Sequence, residues 1–208
     1  MNRDRKMTVR QRNKIADMGK IFYIMGKSAS GKDRIYSLLA AHKELNLKTL
    51  VLYTTRPIRA GEQDGKNYYF VDDKKLKEFR RNGNLIEARA YHTVHGIWTY
   101  FTADDGQVDM TGSDYLGIGT LESFKKMRKY AVCPVYIQVE DGERLSRALK
   151  REREQANPKY EEMCRRFIAD QSDFSEENIL RAGIWKRFQN IDLDECVKEI
   201  VNYIKSMQ

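Results

Sequence analysis

Residues 26–33 read Gly-Lys-Ser-Ala-Ser-Gly-Lys-Asp, and no other stretch restricts the possible folds as strongly. The apolar run Ile21-Phe22-Tyr23-Ile24-Met25 precedes it, and a helical pattern, Arg34–Ala40, follows. Strand, glycine-rich loop and helix in that order form the arrangement that wraps backbone N–H groups around a phosphate. Gly26 and Gly31 let the backbone approach an anion closely, and the helix starting near Asp33 adds the positive end of its dipole. Lys32 is then placed to reach the terminal phosphates. The usual pattern closes on Ser or Thr, whose hydroxyl binds magnesium; here Asp33 stands in that position.

A chain of 208 residues suits one domain, or one domain with mobile subdomains. No apolar run approaches the ~20 residues of a membrane span. The N-terminal stretch is basic without an apolar segment, so it does not read as a secretory signal. Cys133, Cys164 and Cys196 are far apart and odd in number, which argues against a disulfide framework and for a reducing, cytoplasmic setting. His42, His92 and His95 offer no zinc-ligand spacing with them. The net charge is +8, and the first 17 residues carry half of it, six cations against two acids. Residues 1–19 therefore read as a basic, disordered extension. The remaining positive charge suits a site for two phosphorylated molecules.

Along the chain, 21–25 reads as a buried strand, 33–43 as a helix and Leu50–Tyr53 as a second strand, so a parallel sheet is expected. Residues 53–102 are turn-rich with short strand patterns at 67–71, 85–88 and 98–102 and a short helix at 73–82, a small β-rich insert. Tyr115–Gly119 and Val132–Val139 return to buried-strand character around a helix at 121–129. Helices at 141–153 and 159–171, a last strand at Ile184–Phe188, and an amphipathic helix from Leu193 close the chain. The fold class is α/β.

The stretch 54–70, T-T-R-P-I-R-A-G-E-Q-D-G-K-N-Y-Y-F, resembles the GMP-binding loop of guanylate kinases at every fixed position of the family's pattern. The resemblance runs from about Gly19 to Tyr203. It implies a P-loop kinase core at 20–52, 103–150 and 172–208, a GMP-binding region at 53–102 and a lid at about 151–171. It also implies ATP-dependent phosphorylation of GMP with Mg²⁺. Gly26, Ser28, Ser30, Gly31, Lys32 and Asp33 would then hold ATP, with Asn190 at the adenine. Arg56, Arg59 and Tyr68 would hold the GMP phosphate, since a guanidinium fork suits paired oxygens. Glu87 would accept both donors of the guanine edge, where adenine presents an acceptor that a carboxylate repels. Tyr100 and Thr102 resemble the family's Tyr-Gly-Ser/Thr, which touches phosphate and base. Lys32 and the lid arginines Arg147, Arg151 and Arg166 would neutralise the transferring phosphoryl group.

Three departures stand out. Phe101 replaces the family's glycine, and Leu52 lies where a small hydroxyl residue is frequent. Gly117 and Gly119 stand where the family has Leu-Asp-x-Asp, so two carboxylates are missing while Asp33 adds one. Asp33 is accordingly expected to organise magnesium through water. Two other readings remain at this stage: a kinase-like module that binds protein partners without catalysis, and a kinase for another guanine-type monophosphate such as dGMP. No nucleic-acid, membrane or obligate protein partner is expected.

Overall fold

The computed structural model describes residues 19–93 and 96–208. The basic segment expected at the N-terminus lies, up to residue 18, outside the described residues. A five-stranded parallel sheet forms the centre, in the order β2 (Lys48–Thr49), β7 (Tyr115–Gly119), β1 (Ile21–Met25), β8 (Val132–Gln138), β9 (Arg187–Gln189). All five residues of β1 are buried. A central parallel strand is covered on both faces, so its sequence is continuously apolar rather than alternating.

The two faces separate by residue parity. Ile21, Tyr23 and Met25 pack with Phe124, Phe174 and Ile179 on one side. Phe22 and Ile24 pack on the other with Ile35 and Leu39 of α1 (Lys32–Ala40), Phe188, and Ile200 and Ile204 of α7 (Leu193–Met207). The first face is covered by α3 (Leu121–Lys126) and α6 (Glu176–Arg181). Helix starts are locally determined: Thr120 and Ser123 form a reciprocal capping box, and Asp192 accepts the Glu195 N–H at 2.9 Å.

A second, four-stranded sheet is ordered β4 (Tyr69–Phe70), β3 (Tyr53–Thr54), β6 (Gly96–Ala103), β5 (Leu85–Thr93). With α2 (Asp73–Arg81) it encloses a core of Tyr53, Leu76, Phe79 and Phe101. α4 (Asp141–Arg153) and α5 (Tyr160–Asp173) form a helical arm beside the P-loop.

The strand expected at Leu50–Tyr53 is divided between the sheets. Leu50 donates to Leu116 of the central sheet at 2.9 Å, whereas the Leu52 carbonyl accepts from Tyr69 of the second sheet at 2.8 Å. One apolar run serves two sheets because its hydrogen-bond partners change at Val51–Leu52. The last strand is also displaced, to Arg187–Gln189. Ile184 is fully buried outside the sheet, and helix α6 before it has no counterpart in the sequence reading.

Candidate active site

The P-loop leaves β1 at Gly26 and enters α1 at Lys32, at the C-terminal edge of the central sheet. β1 leads to β2 on one side, while β8 lies on the other. Such a switch point opens a crevice for ligands in open α/β sheets. Gly31 has φ of 85°, and a Cβ there would lie 2.3 Å from Asn190 Nδ2. That amide donates to the Ser30 carbonyl at 2.8 Å, and the Asn190 carbonyl accepts from Arg147 at 3.1 Å. Asn190 and Arg147, expected near the nucleotide, are thus tied to the loop itself. Ser30 is fully buried and its hydroxyl has no partner among the described residues. Among the described residues Lys32 Nζ meets only the Asp33 carboxylate, at 2.9 Å, and the Asp33 side chain is 81% exposed.

Arg56 is the centre of the second cluster and only 3% exposed. Its two terminal nitrogens fork onto Glu62 at 2.7 and 2.5 Å, its Nε donates to the Tyr100 hydroxyl at 2.9 Å, and Pro57 accepts at 2.9 Å. Tyr68, Phe70 and Tyr100 surround the guanidinium within 6.0 Å of their ring centres. The Arg56 hydrogen bond brings the Glu62 carboxyl down to about 2 against the opposing effect of burial. The same pairing raises Arg56 further into its charged range. Arg59 is exposed and its guanidinium lies 5.9 Å from the Trp98 ring. Burial raises the Tyr68 phenol above its usual range, with smaller contributions in the same direction from Tyr100 and Asp33.

Glu87 pairs with Thr102 across β5 and β6, next to a β-bulge that shifts the register between Leu85 and Glu87. Thr102 is 4% exposed and its hydroxyl is unpartnered among the described residues. Burial raises the Glu87 carboxyl, offset in part by Lys126 of α3. Strand alternation explains Phe101. Tyr100 and Thr102 share one face, while Phe101 points to the other and stacks on Tyr53 at 5.0 Å in the insert core.

Two predicted arginines are not drawn into the site. Arg151 is exposed without a partner among the described residues. Arg166 is 58% exposed and paired with Glu162 at 2.8 Å. The structure instead brings in Arg144, Asp170 and Glu62, to which the sequence reading gave no role. Glu62 was legible as a fixed position of the 54–70 pattern. Arg144 sits one turn before Arg147, and helical spacing alone did not separate it from solvated neighbours.

Gly117 and Gly119 also have a structural cause. A Cβ on Gly119 would fall 2.1 Å from the Tyr23 hydroxyl, and one on Gly117 would fall 2.7 Å from the Tyr23 ring. Tyr23, directly paired with Gly117 on the neighbouring strand, fills that space and donates to Ser123 at 2.8 Å. Gly119→Ala is therefore expected to cost about 1–3 kcal/mol of stability by overpacking. Combined with Tyr23→Leu it should cost less than the sum of the single changes, as read from denaturant titrations.

A family model described as guanylate kinase matches residues 18–207. A guanylate kinase of Wolbachia pipientis is 30% identical over 186 residues, covering 88% of this chain and 87% of the relative. That of Anaplasma phagocytophilum is 30% identical over 138 residues, covering 65% of each. That of Lactobacillus acidophilus is 38% identical over 77 residues, covering 37% of this chain and 38% of the relative. The crystal structure of the Anaplasma guanylate kinase superposes with a TM-score of 0.59 at 23% identity, covering 92% of this chain and 87% of the other, which supports the fold. With a family model spanning both clusters, the chain belongs to the guanylate kinase family.

Proposed function

We propose that this protein transfers the γ-phosphoryl group of ATP to GMP, giving ADP and GDP. The observation that carries the reading is Arg56, buried, forked onto Glu62 and ringed by aromatics in the insert that accompanies a P-loop. A desolvated guanidinium held this rigidly suits a phosphate better than a solvated surface charge.

No protein nucleophile is required. A phosphate oxygen of GMP attacks the γ-phosphorus in line, the new P–O bond forms as the β–γ bridge breaks, and the electron pair leaves on ADP. Lys32 neutralises charge on the transferring group. Arg56 and Tyr68 orient the acceptor phosphate, Arg59 reaching from the rim. Thr102 and Glu87 meet the base, and their unpartnered hydroxyl and half-buried carboxylate fit a polar guanine edge. Gly26, Ser28, Ser30 and Gly31 cradle the donor phosphates, with Asn190 bordering the adenine. The arm at about 151–171 acts as a lid carrying Arg151 and Arg166, Arg147 being at its base.

The residues present fit magnesium. Among the described residues no three His, Cys, Asp or Glu side chains gather to hold an ion alone. Asp33 presents one exposed carboxylate at the P-loop end. An ion held through waters and nucleotide phosphates would need no more, with Asp33 placed to orient those waters. When bound it would supply positive charge at the phosphate oxygens. A cytoplasmic setting accords with three free cysteines.

A coupled assay with ATP and GMP, dGMP, AMP, UMP or CMP tests the reading. Turnover is expected with GMP and not with AMP. Absence of turnover with every acceptor would overturn it in favour of a non-catalytic binding module. Glu87→Gln should lower kcat/KM for GMP roughly 100-fold, because the amide repels one guanine donor where a carboxylate accepts two. Burial raises the Glu87 carboxyl, so the wild-type KM for GMP should rise as pH falls through that raised range. The Gln variant should lack that dependence.

A further inference from the structure

Two successive peptide planes of the P-loop are held from outside the loop. The Ser28 N–H donates to Asp170 Oδ2 at 2.6 Å, and the Ser28 carbonyl accepts from Arg144 Nη1 at 2.9 Å. Arg144 and Asp170 approach to 3.7 Å and close the ring. The next residue, Ala29, has φ of 61°. A non-glycine residue in this left-handed region is strained and persists only where its neighbours over-determine it. The clamp on the Ser28–Ala29 peptide is such a constraint.

The clamp is built into the fold. Arg144 is 1% exposed, lies over the Phe167 ring at 4.6 Å and is also gripped by Asp141 at 2.7 and 3.1 Å. Burial pushes the Asp141 carboxyl up, but hydrogen bonds from Arg144 and Gln171 outweigh it and hold the group below its usual range. Gln171 in turn accepts from Lys27 Nζ at 2.6 Å. Arg144 belongs to the first half of α4 and Asp170 to the last turn of α5, so both ends of the helical arm grip one P-loop residue.

We propose that Asp170, with Arg144, is a positioning residue for the donor nucleotide. It sets the peptide planes that aim the P-loop N–H groups, and it ties the loop's conformation to the position of the arm. An arm that shifts must release the Ser28 N–H, so occupancy of the loop by phosphate and placement of the arm influence each other reciprocally. This rests on the reading of residues 26–33 as a donor-phosphate site.

Calorimetric binding of ADP in the absence of any acceptor, with KM values for ATP and GMP where turnover occurs, tests it on the full chain. Asp170→Ala removes one charge-assisted hydrogen bond and is expected to weaken ADP about tenfold or more and to raise KM for ATP equally. KM for GMP should stay within about twofold, as the Arg56 cluster lies outside this network. Asp170→Asn, which still accepts the Ser28 N–H, should recover most of the ADP affinity. Should Asp170→Ala not fold, Asp170→Glu makes the same comparison, because it keeps the charge beside Arg144 but displaces the carboxylate from the Ser28 N–H. Wild-type ADP affinity in the Ala or Glu variant, or equal increases in KM for both substrates, would overturn the proposal. If the wild type binds ADP yet phosphorylates no acceptor, the functional reading fails while the ADP comparison still decides the role of Asp170.

Discussion

Lys32→Met is expected to lower kcat by roughly 10³-fold while leaving the fold intact. The magnitude follows from removing a preorganised positive charge at the site where charge develops, an effect of about 10²–10³ for one such group. The fold is spared because the Lys32 ammonium meets, among the described residues, only Asp33, itself 81% exposed. Such surface pairs contribute little to stability. A coupled assay together with a thermal melt checks both halves. Unchanged kcat would remove Lys32 from the transfer step, and a collapsed melt would move the effect from chemistry to structure. The Michaelis constant for GMP should change little, since Lys32 has no contact with the Arg56 cluster among the described interactions.

Arg56→Ala should raise KM for GMP by about 10²-fold, the loss of a positive charge beside the phosphate and of the one guanidinium N–H that Glu62, Pro57 and Tyr100 leave free. Unlike Lys32, Arg56 is a structural element of its own cluster. It is buried, and its removal leaves Glu62 without its fork and Tyr100 without a donor from Arg56. Arg56→Lys separates charge from geometry. It keeps the positive charge but provides no paired fork, so most of the loss should persist. Measuring KM for ATP in the same variants is decisive, because the donor half of the site contains none of these contacts. A parallel loss for ATP would show that the insert and the P-loop do not act as separate half-sites. An unchanged KM for GMP in Arg56→Ala would remove the acceptor phosphate from this cluster.

Several features of the site were legible without coordinates because they depend on short-range geometry. A loop that wraps an anion needs Gly at the left-handed entrance to the helix, and Gly31 supplies it. A strand covered on both faces needs an unbroken apolar run, and Ile21–Met25 supplies that. The fixed positions at 54–70 include both partners of the central ion pair, Arg56 and Glu62, six residues apart. Local chemistry of this kind is written in neighbouring residues, so it survives reading in one dimension.

Tertiary structure decided what depends on distant segments. Tyr23 and Gly119 are far apart in sequence, and only the pairing of β1 with β7 shows that the phenol requires the missing Cβ atoms. Phe101 looked like a break in a motif until strand alternation turned it into the insert core. Among the basic residues of 144–166, the sequence does not distinguish Arg144, nearly fully buried against the P-loop, from Arg151 and Arg166, which project outward. The cost of burying a charge is offset only when specific partners converge from elsewhere in the chain. For Arg144 those partners include the Ser28 carbonyl, 116 residues away, and Asp170 on the next helix. The sequence by itself determined the glycine-rich loop at 26–33 and the pattern at 54–70, because each is held in a continuous stretch. The folded chain determined which charges serve them, because desolvation and pairing are properties of packing between segments.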